Sequence, residues 1–135
     1  MKDRRVVITG LGAVTPVGND VKTFWSGLKA GKSGVAPIQS MDTSDYRCKI
    51  AAEVTNFEPG PYFNNPKDAR RADRYSQLAI AAARMAFSDA AVDLERIDRF
   101  RFGVMVGSGI GGLSTLEREH QKLLEKGPAR VNPFL

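Results

Sequence analysis

With 135 residues, 42% of them hydrophobic and 26% charged, the chain has the composition of an ordinary globular domain or of part of one. A single cysteine, Cys48, and a single histidine, His120, exclude an intramolecular disulfide and a Cys/His metal cluster, and no apolar run approaches a membrane span. The 20 Lys and Arg against 15 Asp and Glu leave a formal charge of +5, which favours an acidic partner, and the lone cysteine points to a reducing, cytoplasmic setting. The apolar opening around Val6-Val7-Ile8 is not a signal peptide, because Thr9-Gly10-Leu11-Gly12 and Pro16 interrupt it too soon.

In chain order, Arg5-Val6-Val7-Ile8-Thr9 is a β-branched run bounded by glycine, the pattern of a short strand buried on both faces. Gly10, Gly12, Pro16 and Gly18 make the loop that follows. Asn19 or Asp20 then caps an amphipathic helix with Val21, Phe24, Trp25 and Leu28 at helical spacing, ending at Gly31. Residues 31–65 read as loop, with Pro37, Pro59 and Pro61 punctuating them and only residues 48–54 extended. A long helix is expected from its cap at Asn65, with Pro66 at the first helical position and Asp68 three residues beyond the cap, to about Ala90. Residues 78–87 of it carry Arg84 as their only polar side chain, and a helix apolar all the way round needs cover on every side. That places it between two sheets. Only the runs at Val6 and Val104 are convincing core strands, so the chain is expected to be an incomplete piece of a larger layered α/β protein.

The second run, Phe102-Gly103-Val104-Met105-Val106, leads straight into Gly107-Ser108-Gly109-Ile110-Gly111-Gly112, four glycines among six residues. Glycine this dense implies positive φ angles or something passing very close to the backbone. Gly107-x-Gly109-x-x-Gly112 also satisfies the dinucleotide-binding fingerprint, which keeps a nucleotide-binding α/β module open as an alternative. The wider context disagrees, since a charged helix over residues 116–126 runs into Gly127-Pro128 rather than into a second strand with an acidic end. Simple close packing is the other reading. On that charged helix, His120 sits among Glu117, Arg118, Glu119, Gln121 and Lys122 on a polar face and is expected to be solvated. Lys67, Arg70, Arg71 and Arg74, at spacings 0, 3, 4 and 7, form a stripe on the first two turns of the long helix. Cations at a helix amino terminus oppose its dipole, which suggests a purpose beyond helix stability; the plain alternative is a solvated face partly neutralised by Asp68 and Asp73. Nucleic-acid binding is not expected, because no aromatics interleave the basic residues.

Val7-Ile8-Thr9-Gly10-Leu11-Gly12-Ala13-Val14-Thr15-Pro16-Val17-Gly18, Leu28-Lys29-Ala30-Gly31-Lys32-Ser33-Gly34-Val35 and Gly107-Ser108-Gly109-Ile110-Gly111-Gly112-Leu113 together resemble the amino-terminal part of a β-ketoacyl-acyl-carrier-protein synthase, most closely the type II elongating enzymes of bacterial fatty-acid synthesis. The resemblance continues through Gly127-Pro128 and Asn132-Pro133-Phe134. It implies the α/β thiolase-like fold, an αβαβα layered sandwich of which the amino-terminal half is here incomplete. It implies a homodimer, no cofactor or metal, and a decarboxylative Claisen condensation in which a cysteine attacks an acyl thioester while two histidines and an oxyanion hole serve malonyl-carrier protein. That family's cysteine lies in an Ala-Cys-small-Gly context downstream of Asn132-Pro133-Phe134, so no catalytic residue is expected among residues 1–135, and Cys48 matches nothing catalytic. By the same resemblance Ile110, with Gly109 and Gly111, lines and gates the acyl pocket, and Phe134 lies close to the acyl channel and the dimer. Lys67, Arg70, Arg71 and Arg130 are matched to positions that meet the acidic acyl carrier protein bearing acyl or malonyl thioesters. A non-catalytic chain-length partner in a condensing heterodimer is the further alternative.

Overall fold

Asp20 decides where regular structure begins. In a computed structural model that describes residues 4–133, its carboxylate accepts the Thr23 amide at 2.7 Å and caps helix α1, Val21–Lys29. The helix closes at Ala30, and Gly31 follows at φ +65°, a left-handed conformation that costs glycine little. Its apolar stripe is only partly covered: Val21 and Phe24 are half-buried, whereas Trp25 and Leu28 are exposed. Strands β1, Val35–Pro37, and β2, Ile50–Ala52, pair antiparallel with Val35 opposite Ala52 and Pro37 opposite Ile50. Strand β2 falls inside the segment expected to be extended. Strand β1 lies in a stretch read as loop, because three residues ending in proline carry no alternation that reveals a strand before its partner is known.

The long helix expected over residues 65–90 is two helices. Asn65 caps the first as anticipated, accepting the Lys67 amide at 3.0 Å, with Pro66 at the first helical position of α2, Pro66–Ala69. The chain then turns: the amides of Arg71 and Ala72 both reach back to the Asp68 carbonyl, and Asp73 is extended before α3, Arg74–Asp89, begins. Gln77 holds the break, its side-chain amide donating to the Ala69 carbonyl at 2.7 Å and the Ala72 carbonyl at 3.2 Å. Those carbonyls lie at the end of α2 and in the turn, where helix-type bonds run out. A glutamine serving two carbonyls across a turn leaves no trace in hydrophobic periodicity.

Helix α3 is where the separated parts of the chain meet. Gly10 and Gly12 bring their backbone against its Ala82, Ala86 and Ala90 face so closely that a Cβ at Gly12 would overlap the Ala82 carbonyl. The Leu11 amide donates to the Asp89 carboxylate at 2.9 Å, and the Phe102 ring stands 5.7 Å from that of Phe87. The 3₁₀ turn Gly60–Tyr62 also packs on α3. This explains the alanine-rich composition, but the cover is one-sided: Ala81 is fully buried while Ala83 and Arg84 are exposed. The two apolar runs expected to be buried strands pair with nothing among the described residues. Val6 is 90% exposed and Met105 97% exposed. Both runs are apolar on both faces, the pattern of interior strands, and the described residues supply no neighbour on either side.

Helix α4, Leu113–Lys126, runs into a 3₁₀ turn at Pro128–Arg130, with Gly127 between them at φ +76°. Among the described residues only Phe57, Ala69 and Ala81 are hydrophobic and buried, so the core is thin. The chain exposes 11650 Å², against about 7,000 Å² for a closed monomer of this size. The excess belongs to layers that these residues require and do not themselves provide.

Candidate functional site

The glycine turn stands at the head of α4. Ser108 Oγ accepts the Gly111 amide at 2.9 Å, Gly111 takes φ +78°, and the Gly112 carbonyl accepts the Leu116 amide as the helix starts. Positive φ therefore accounts for Gly111. Gly112 is explained by a close approach, since a Cβ there would stand 2.5 Å from the carboxyl carbon of Asp73. Gly107 and Gly109 are explained by neither: neither has positive φ, and nothing lies within 4 Å of where a Cβ would be. Ile110, between them and Gly111, is 77% exposed. The turn thus presents one large apolar side chain and open backbone to space that no described residue fills. Phe134, the remaining expected pocket residue, lies outside the described residues.

The dinucleotide reading of this turn fails on its surroundings. The run before it pairs with no strand, and α4 leads to the 3₁₀ turn rather than to a second strand with an acidic end, so the βαβ unit that gives the fingerprint its meaning is missing among the described residues.

The basic residues are divided by the break between α2 and α3. Lys67 lies in α2, Arg70 caps its end, Arg71 is in the turn and Arg74 opens α3, so the expected single helical stripe does not exist. Lys67, Arg70 and Arg71 remain exposed. Arg74 is engaged elsewhere, its guanidinium 5.2 Å over the Phe57 ring and donating to the Val54 carbonyl at 2.8 Å. Asp68 and Asp73 make no ion pair with these cations among the described residues, and Asp73 turns instead to the Thr115 hydroxyl. Arg130 is grouped with Lys122 and Lys126 around a shallow recess of about 590 Å³. A second recess of about 500 Å³ is bordered by Leu11, Val21, Tyr62, Arg84 and Met85, and no expected site residue reaches it.

Glu119, beside His120 on α4, is buried where its sequence surroundings are polar. Its side chain is 1% exposed, the most buried charged group described. Lys122 Nζ donates to it at 2.6 Å, the Asn132 amide at 2.9 Å and Arg118 Nε at 3.4 Å. Lys122 chiefly, then the Asn132 amide and Arg118, lower the Glu119 pKa from its ordinary 4.5 to about 2, against desolvation that would raise it. Its Asn132 bond ties the segment after the 3₁₀ turn back onto α4. Sequence reasoning missed it because flanking charges normally mark a wet face, and its partner amide lies beyond the helix. His120, the next residue, is exposed as expected. Cys48 is also exposed, two residues before β2, with its thiol 3.4 Å from the Ile50 carbonyl.

Comparison with known proteins covers nearly the whole chain. The model of the β-ketoacyl synthase N-terminal domain matches residues 3–135. The chain is 47% identical over 133 residues to 3-oxoacyl-[acyl-carrier-protein] synthase 2 of Staphylococcus aureus, covering 98% of this chain and 32% of that protein. It is 40% identical over 135 residues to the protein of the same name from Synechocystis, covering all of this chain and 32% of the relative. It therefore spans about a third of the length of the curated relatives it matches. Among solved structures, the ishigamide ketosynthase/chain length factor superposes with a TM-score of 0.76 at 34% identity, over 96% of this chain and 32% of that one. A β-ketoacyl synthase from Burkholderia phymatum gives 0.72 at 31% identity, over 95% and 31%. A type II polyketide ketosynthase in complex with its acyl-carrier protein gives 0.74 at 27% identity, over 95% and 33%.

Proposed function

Since this chain belongs to the β-ketoacyl synthase family, within its N-terminal domain, we propose that the protein carries out the decarboxylative condensation that elongates fatty acids on an acyl carrier protein. Its fold is part of the thiolase-like layered sandwich of the ketosynthases. In the proposed reaction a cysteine thiolate takes the acyl group from its thioester, releasing the carrier thiol. A malonyl thioester then loses carbon dioxide, and the carbanion left behind attacks the acyl-enzyme to give the 3-oxoacyl thioester and free the cysteine. The nucleophile and its histidines come from an Ala-Cys-small-Gly segment and further sequence beyond residue 135, and residues 1–135 alone are inactive.

The part of the work proposed for this chain is to shape and to dock. Ile110, with Gly109 and Gly111 beside it, walls the acyl pocket, joined by Phe134. Lys67, Arg70, Arg71 and Arg130 receive the acidic acyl carrier protein, and a second copy of the protein completes the dimer in the cytoplasm. The observation that carries the reading is the match of residues 3–135 to the β-ketoacyl synthase N-terminal domain, with 47% identity to a 3-oxoacyl-[acyl-carrier-protein] synthase 2. The partner of the polyketide ketosynthase among the structural neighbours is itself an acyl-carrier protein.

One neighbour is a ketosynthase/chain length factor, which keeps a non-catalytic heterodimer subunit as the second reading. The test is the full-length protein supplied with acyl- and malonyl-carrier protein. Carbon dioxide release with a 3-oxoacyl product supports the condensing enzyme. An intact, folded protein that turns over only when a second, cysteine-bearing subunit is added supports the alternative.

A further inference from the structure

Asp73 is an N-cap that does not cap. It precedes α3 in extended conformation, yet its side chain makes no hydrogen bond to the helix it opens. Helix α4 has the opposite defect, because its N-cap, Gly112, has no side chain with which to cap anything. The Asp73 carboxylate stands in the place a side chain at Gly112 would take, with Oδ1 2.9 Å from the Cβ position, and that oxygen accepts a hydrogen bond from Thr115 Oγ1 in the first turn of α4. A carboxylate is thus delivered from one helix start to the positive end of another, where the dipole of α4 favours it. Thr115 Oγ1 in turn accepts from Arg118 Nη2 at 3.3 Å, and Arg118 Nε reaches Glu119, which holds the Asn132 amide. One hydrogen-bonded line therefore runs from the start of α3, across the head of α4, to the segment that follows it.

We propose that Asp73 is a positioning residue for the glycine turn: through Thr115 it fixes the head of α4, and with it the place of Ile110 two residues before Gly112, so that it sets how sharply the enzyme discriminates acyl chain length. The inference rests on the condensing function proposed above. Without the tie, the turn is free to shift and Ile110 no longer stands at one depth.

The experiment measures kcat/KM of the full-length protein with a series of acyl-carrier primers of increasing length. Asp73→Ala is expected to reduce the ratio between the best primer and the first poorly accepted longer one by about tenfold, the scale of one lost charge-assisted hydrogen bond. Thr115→Val, close in volume, is expected to reproduce that flattening even where Asp73→Ala does not fold, and the double variant to go no further than either single one. Asp73→Asn retains an acceptor oxygen without the charge and should leave a ratio between those of Asp73→Ala and the unmodified protein. Gly112→Ala should flatten it, since its Cβ displaces the carboxylate from Thr115. A uniform drop at every chain length, or an unchanged profile in Thr115→Val, would overturn the positioning role. Unmodified protein that condenses no primer would instead refute the function on which the inference stands.

Discussion

At the scale of single residues, two side chains carry tests that differ in kind. Ile110 is the one bulky group in a turn of glycines and is exposed, so under the proposed function added bulk there is expected to shorten the acyl pocket. Ile110→Phe in the full-length protein is expected to lower kcat/KM for long primers by at least about tenfold while sparing short ones, as a steric change in an apolar pocket does. Equal losses at all lengths would make the position structural. Glu119 tests the electrostatics of α4. Its folded pKa lies below its ordinary 4.5, at about 2, so its stabilising bonds to Lys122, the Asn132 amide and Arg118 are fully present above pH 4.5 and are lost as pH falls through about 2. Full-length protein should accordingly exceed Glu119→Gln in denaturant midpoint by a constant margin above pH 4.5, and the margin should shrink as the pH falls toward 2. A margin independent of pH over that interval would show that the carboxylate's charge is irrelevant.

At the scale of elements, the break between α2 and α3 matters most. It separates cations that a continuous helix would have aligned, removing Arg74 to the Phe57 ring and leaving Lys67, Arg70 and Arg71 exposed around one turn. Exposed cations around one turn, in no ion pair among the described residues, agree with the proposed docking of an acidic partner. Reversing charge at Arg70 and Arg71 together is expected to raise KM for a carrier-protein thioester by about tenfold at low salt, with the difference from unmodified protein narrowing as salt is added. An equal loss with a coenzyme A thioester would sink the docking role. Part of this arrangement was legible beforehand. The Asn65 cap, Pro66, Asp20 and Gly31 are local signals and stand where local chemistry puts them. The break was not, because the bonds of Gln77 to Ala69 and Ala72 resolve it, and their geometry exists only after the turn has formed.

At the scale of the whole molecule, the exposed area and the unpaired runs around Val6 and Val104 have one consequence: these residues cannot close a core of their own. Residues 1–135 alone are expected to show no cooperative thermal transition by near-ultraviolet circular dichroism, to bind a hydrophobic dye, and to have no condensing activity. A sharp transition with little dye binding would contradict the layered parentage. Among the described residues no helix is long and apolar enough to cross a membrane.

The amino-acid sequence by itself determined the Asp20 and Asn65 caps, the glycine turn and the need for further layers, because these depend on local backbone chemistry and on apolar runs that stay apolar whatever surrounds them, while the family was legible through the resemblance of its motifs. Only the tertiary structure decided that the basic stripe is broken, that Glu119 is buried, and that Asp73 serves α4 rather than its own helix. Each of these depends on partners distant in sequence, or on the path of a turn. Thr115 lies 42 residues from Asp73, and the Asn132 amide 13 from Glu119, so no window of periodicity could have paired them.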